Sequence, residues 1–238
     1  PLAWLALAIA AFGARTSPRT PVRPWPCGRE LAGASPQPPP LSPSIASLQL
    51  SPVFRSPPLD PPDYGSPHYW DQRYSSNAEP FEWMEDYQSV REFVQEATGG
   101  DHGARVLHVG CGSSLLAEQM YDEGYAHIVN IDTSAIVIEQ MAARNAARPE
   151  IEWHVMDATS MDISNDLFDV VIDKGLLDTL FCRTNFSDTI ASYMREVARV
   201  LRPGGALVCV TVMEPGEAGE LFTQVMHARH ATTCRFQR

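Results

Sequence analysis

The 238-residue sequence has no C-x-x-C pair. Its five cysteines, Cys27, Cys111, Cys182, Cys209 and Cys234, stand singly, and an odd number in a chain this long argues against a disulfide framework. His227 and His230 would share one helical face, but no further ligand lies near them in sequence, so no metal site is expected. Long apolar runs are missing too. Leu2 to Phe12 spans eleven residues, too few to cross a bilayer, so no membrane partner is expected. Basic residues are scarce beyond the first sixty positions. Residues 1–60 carry five arginines against two acids, which leaves 13 basic and 27 acidic residues, a formal net of −14, in the remainder. A body this acidic is a poor match for a phosphate backbone, so nucleic acid is not an expected partner. It suits a basic protein partner, or equally a surface that is merely well solvated.

Proline, by contrast, is concentrated. Of 20 prolines, 16 lie within residues 1–68, a density that works against a packed core. Residues 1–66 therefore read as an extended arm, and residues 67–238 as one domain. The apolar run followed by Arg15, Arg19, Arg23 and Arg29, with no acid before Glu30, has the composition of an organelle-targeting leader, for a plastid or mitochondrion. An upstream extension of a cytoplasmic protein fits equally well. Under either reading the run is not expected to join the fold.

The domain is organised around Arg105 to Ser114, RVLHVGCGSS. Val106 to Val109 is an apolar run of the kind buried on both faces of a parallel sheet. It ends in Gly110-Cys111-Gly112, two glycines that allow a sharp turn and close approach to a ligand. A helix follows from about Leu115. Strand end, bare turn and helix start together form the place where open α/β sheets bind nucleotide-like ligands. The dinucleotide fingerprint G-x-G-x-x-G is incomplete, because Leu115 stands where its third glycine would be.

A second strand, His127 to Ile131, ends at Asp132, 22 residues beyond Gly110. An acid there can accept both hydroxyls of a ribose, or it can cap the helix that begins near Ala135. A third strand, Ile151 to Val155, ends at Met156-Asp157-Ala158, where the carboxylate can accept from an adenine amino group beside the Ala158 backbone. A fourth, Phe168 to Ile172, runs into Asp173-Lys174-Gly175-Leu176-Leu177-Asp178. Helix Thr189 to Val200, a stop and turn at Leu201 to Gly205, and a fifth strand, Ala206 to Val212, complete an α/β class domain with a parallel sheet. Upstream, Tyr69-Trp70-Asp71-Gln72-Arg73-Tyr74 and Phe81-Glu82-Trp83 are dense in aromatics. They either pack against the sheet edge or close over a flat ligand.

The series GCGSS, Asp132, Asp157, FDVV and LRPGG resembles the class I methyltransferases that use S-adenosyl-L-methionine. YWDQRY, FEW and DKGLLD are similar, more narrowly, to the elongation factor 1A lysine methyltransferase family. The resemblance covers about residues 69 to 212. It implies a Rossmann-like seven-strand fold in three α/β/α layers, a methyl-transfer activity and a monomeric enzyme acting on a basic translation factor. It also implies that Trp70, Tyr74 and Trp83 line the cofactor pocket, that Gly110 lies against the methionine part and that Gly112 belongs to the cofactor-binding set. Asp132 and Thr133 would hold the ribose, Asp157 and Ala158 the adenine, and Lys174 would border the site. Thr133 replaces the family's usual tyrosine, and Leu176-Leu177 its Thr-Leu. Beyond Pro215 the match fades. Val225 to Phe236 offers a sixth strand and no seventh is evident, which would leave the sheet truncated at its C-terminal side.

A lysine acceptor must lose a proton, at a cost of about 4–5 kcal/mol at neutral pH. An apolar, aromatic pocket lowers that cost, and an acidic rim draws in the charged form. Asp173 and Asp178 are the candidates for such a rim, although Asp173 serves equally as a helix cap. A nucleotide-dependent oxidoreductase would share the first loop and Asp132 but would have no use for Asp157. Small-molecule methyltransferases share every cofactor motif, and a non-catalytic binding module would share the fold.

Overall fold

The computed structural model describes residues 6–12, 62–213 and 231–237, the first and last of these as backbone strands. The parallel strands are β2 (Arg105–Val109), β3 (His127–Asp132), β4 (Ile151–Val155), β5 (Phe168–Lys174) and β6 (Leu201–Thr211). Strand β1 (Ala6–Phe12) pairs antiparallel with β6, and β7 (Ala231–Gln237) pairs antiparallel with β1. Among the described residues this makes one sheet in the order β4-β3-β2-β5-β6-β1-β7. The chain winds from β2 outward through β3 and β4, then returns to the other side of β2 for β5 and β6. That reversal opens a crevice at the carboxyl ends of β2 and β5.

Six helices are described: α1 (Pro67–Ser76), α2 (Tyr87–Thr98), α3 (Leu116–Asp122), α4 (Ala135–Arg144), α5 (Leu176–Phe181) and α6 (Phe186–Val200). Alternation along the strands sorts their side chains between two faces. Val106, Val170, Ile172, Val208 and Val210 pack with Val90, Val94, Leu116 and Met120 of α2 and α3. Leu107, Val109, Val171, Leu207 and Cys209 pack with Leu177 and Leu180 of α5 and Ile190, Tyr193, Met194 and Val197 of α6. This is the three-layer α/β/α arrangement expected from the strand–helix alternation. Helix α2 forms where it does because Asp86 accepts the Ser89 N–H at its start and Gly99, at φ 63°, ends it in the left-handed conformation.

Three sequence expectations change. The apolar run at the N-terminus joins the fold, with Ala6 to Ala11 pairing in register with Thr211 to Ala206. A short apolar segment cannot be distinguished from a sheet strand by composition, and β6 offers it an edge that would otherwise lack a partner. The sixth strand expected within Val225 to Phe236 is β7, described from Ala231, which lies against β1, and β1 itself supplies the further strand that was not evident in the sequence. Leu201 to Gly205 is not a separate turn. The strand begins at Leu201, opposite Phe168, and bulges before Ala206 pairs with Val170, with Gly204 at φ 85°. Residues 13–61, which hold most of the proline-rich arm, and His227 and His230 lie outside the described residues.

Candidate active site

The crevice is an open cleft lined from the carboxyl ends of β2, β3, β4 and β5 and from α1 and α5. Its floor is the turn after β2. Gly110 and Gly112 have φ of 59° and 51°, which L-residues with a Cβ rarely adopt. A Cβ on Gly110 would lie 2.9 Å from Leu176 Cβ, and one on Gly112 would lie 2.8 Å from the Tyr74 hydroxyl. The turn is therefore compressed between α5 and α1, and only glycine fits. Cys111 between them is 3% exposed and burial pushes its thiol well up, so it fills space and is not a nucleophile.

Asp132 ends β3 with 8% exposure. Its Oδ2 accepts the Gly112 N–H at 3.0 Å and its Oδ1 the Ser134 N–H at 2.9 Å. Burial raises its carboxyl above the ordinary range, and those two N–H groups oppose the rise. Each oxygen keeps a lone pair for a hydroxyl donor. Thr133 is exposed beside it. At the tip of β4, Asp157 Oδ1 accepts the Thr159 N–H and hydroxyl, both at 2.8 Å, which fixes the side chain at the cleft. Ala158, next in the chain and 6% exposed, lines the cleft as well.

The opposite wall is aromatic. Trp70 and Tyr74 stack at 6.0 Å between centroids, and Trp70 meets Trp83 edge-on at 5.7 Å. Tyr64, upstream of α1, adds a ring 5.3 Å from Trp83 and accepts the Trp70 indole N–H on its carbonyl at 2.9 Å. Arg73 lies over the Phe81 ring at 4.2 Å. Trp83 in turn covers Gly175, where a Cβ would stand 2.7 Å from Trp83 Cδ1. Lys174, with a side chain 2% exposed, donates to Glu82 Oε2 at 2.8 Å and to the Trp83 carbonyl at 2.9 Å. Glu82 also accepts the Ser114 hydroxyl at 2.8 Å and the Leu115 N–H at 2.7 Å.

All ten residues expected around the cofactor line this one cleft: Trp70, Tyr74 and Trp83 on the wall, Gly110 and Gly112 on the floor, and Asp132, Thr133, Asp157, Ala158 and Lys174 at the strand ends. Asp173 and Asp178 do not. Asp173 is fully buried and turned inward, accepting the Leu176 and Leu177 N–H groups and the Tyr193 hydroxyl at 2.6 Å. Burial drives its carboxyl up to about 7, against the hydrogen bond from Tyr193, and the nearby Asp178 adds to the rise. Asp178 accepts from Thr211 Oγ1 at 2.7 Å and the Val212 N–H at 3.1 Å, joining α5 to the end of β6. Both acids are engaged with the chain itself, so the rim role falls away. Glu82, Tyr64 and Arg183 are cleft or wall residues to which the sequence pattern gave no role. Glu82 alone had a signal, an acid set between two aromatics.

The donor set fits an adenosyl ligand that carries no phosphate. Two carboxylates at adjacent strand tips suit a ribose and an exocyclic amine, and the aromatic wall suits a flat or cationic group. A pyrophosphate would need the free donors of the turn, and Glu82 already takes Ser114 Oγ and Leu115 N. The fold and cleft together define an S-adenosylmethionine-dependent methyltransferase, and a methyltransferase-domain family model matches residues 107–209. Mouse EEF1A lysine methyltransferase 4 is 32% identical over 175 residues, covering 66% of this chain and 68% of that protein. The bovine protein of the same name is 32% identical over 183 residues, covering 71% of each. A Xenopus laevis eEF1A lysine and N-terminal methyltransferase is 36% identical over 156 residues, 64% of this chain but 22% of that longer protein. The chain belongs to the EEF1A lysine methyltransferase family.

Proposed function

We propose that this methyltransferase acts on a lysine side chain of a protein, with a basic translation factor of the elongation factor 1A type as substrate. The relatives' names supply the substrate class. The observation that carries the reading is the second half of the cleft, beyond the adenosyl side. There Tyr64, Gly65, Pro67, Leu176 and Leu180 present rings, backbone and aliphatic carbon and no carboxylate, beside Thr179 and Arg183, whose Nε donates to the Gly65 carbonyl at 3.2 Å.

The bound cofactor supplies an activated methyl group on a sulfonium. The chain's own residues hold and orient. Asp132 and Asp157 fix the adenosine end, the Gly110–Gly112 turn lets the backbone approach, and Trp70, Tyr74 and Trp83 exclude water. Orientation of this kind accounts for most of what a protein must add to a reaction with a pre-activated donor. An amine that enters against this apolar lining leaves water, which favours its neutral, nucleophilic form. The acidic body steers a basic substrate toward the enzyme before that step. The enzyme so proposed acts as a monomer in the cytoplasm.

Incubation with isotopically labelled cofactor and a lysate from cells lacking the protein tests this directly. The expected result is label on lysine in one or a few proteins, mapped by mass spectrometry. Label confined to small metabolites would contradict the lysine reading and leave a small-molecule methyltransferase in its place.

A further inference from the structure

We propose that Glu82 is what allows this cleft to accept a cationic cofactor: its carboxylate cancels the charge of Lys174, which would otherwise face the sulfonium uncompensated. The inference rests on the methyltransferase reading above and concerns a residue outside the cofactor-contact set.

Lys174 stands at the end of β5, in the cleft, with almost no access to water. A buried ammonium without a counter-ion raises the energy of any second cation nearby, because the low local dielectric screens little. Glu82 is the carboxylate in ion-pair contact with it among the described residues, at 2.8 Å. Other groups near Lys174 do not substitute. His108, in β2, is fully buried, and burial first and Lys174 second hold it down to about 4, so it is neutral at physiological pH. Asp86 is exposed and directs its carboxylate to Ser89. Of the other cations lining the cleft, Arg73 lies on Phe81 and Arg183 donates to the Gly65 carbonyl at 3.2 Å.

A purely mechanical role for Glu82 is the competing account. Its bonds to Ser114 and Leu115 tie the aromatic segment to the glycine turn, and their loss would loosen the wall for any ligand. The two accounts separate on ligand charge. S-adenosylmethionine carries a sulfonium, whereas S-adenosylhomocysteine has a neutral thioether and is otherwise nearly identical. A loosened wall weakens both alike. An uncompensated Lys174 weakens the charged ligand more.

Titration calorimetry of the full chain with both ligands is the test. Glu82→Gln should lower affinity for S-adenosylmethionine at least about fivefold more than for S-adenosylhomocysteine. Lys174→Met leaves the Glu82 carboxylate alone and should move the ratio the opposite way, toward the sulfonium. The double variant should restore the wild-type ratio. Equal losses for both ligands in Glu82→Gln, or an unchanged ratio in Lys174→Met, would overturn the proposal. Because the two single variants predict opposite signs, Lys174→Met decides the matter if circular dichroism shows Glu82→Gln unfolded. Wild-type protein that binds neither ligand would overturn the methyltransferase reading instead.

Discussion

The Asp132 carboxylate accepts the backbone N–H of Gly112 at 3.0 Å, so the tip of β3 and the turn after β2 form one unit. The ligand-facing acid and the ligand-facing backbone cannot move independently. A change in the turn should therefore be felt at the ribose position as well as in stability.

Gly112→Ala tests that coupling. The residue sits at φ 51°, and a Cβ would meet the Tyr74 hydroxyl at 2.8 Å. Left-handed backbone costs an L-residue about 1–2 kcal/mol before any displacement of Tyr74. We predict a thermal midpoint several degrees lower, and a loss of cofactor affinity larger than the loss of stability alone would give. Scanning calorimetry with and without cofactor measures both. A variant that melts like wild type would show that the turn has slack.

Asp173 should make stability fall as pH rises. Its folded-state carboxyl titrates at about 7 against an ordinary 3.8, so the native protein holds a proton that the unfolded chain releases between those values. The contribution is fully present below the ordinary value and is lost as pH rises through about 7. In Asp173→Asn this dependence disappears. The stability of wild type relative to the variant should therefore decline from about pH 4 to about pH 7 in urea titrations. A difference that stays constant across that range would place the proton elsewhere.

The cysteines should differ in reactivity. Cys182 is exposed at the end of α5, whereas Cys111 and Cys209 are buried, and burial pushes both their thiols well up. Brief iodoacetamide treatment of native protein at neutral pH, followed by peptide mapping, should label Cys182 and spare the other two until denaturant is added. Labelling of Cys111 in the folded protein would mean that the glycine turn opens.

Much of this site was legible because its signals are local. Gly110, Asp132 and Asp157 each follow an apolar strand run, and parallel strands bring their carboxyl ends together wherever such runs alternate with helices. Asp173 looked identical by that rule but behaves differently, because α5 begins at Leu176 and its first N–H groups take up the carboxylate. Two uses for an acid after a strand compete, and helix start distance does not separate them: α4 begins three residues after Asp132 just as α5 begins three after Asp173, but Asp132 is held to the glycine turn by Gly112 whereas Asp173 is turned inward to α5 and Tyr193. Glu82 stood out as an acid between two aromatics, but its role was illegible for another reason. Its partners Ser114, Leu115 and Lys174 are 32, 33 and 92 residues away, and no spacing rule reaches that far. The pairing of the N-terminal apolar run with β6 was illegible because a seven-residue strand and the core of a targeting segment have the same composition.

The central claim is that strand tips and a bare turn converge on one adenosyl ligand, and Asp132→Ala tests it most directly. Charge-assisted hydrogen bonds contribute about 1.5–3 kcal/mol each, and two ribose hydroxyls would be lost together. Calorimetry should show S-adenosylmethionine affinity lowered by roughly two orders of magnitude or more, with the circular dichroism spectrum unchanged. Unchanged affinity in a folded Asp132→Ala protein would contradict the account.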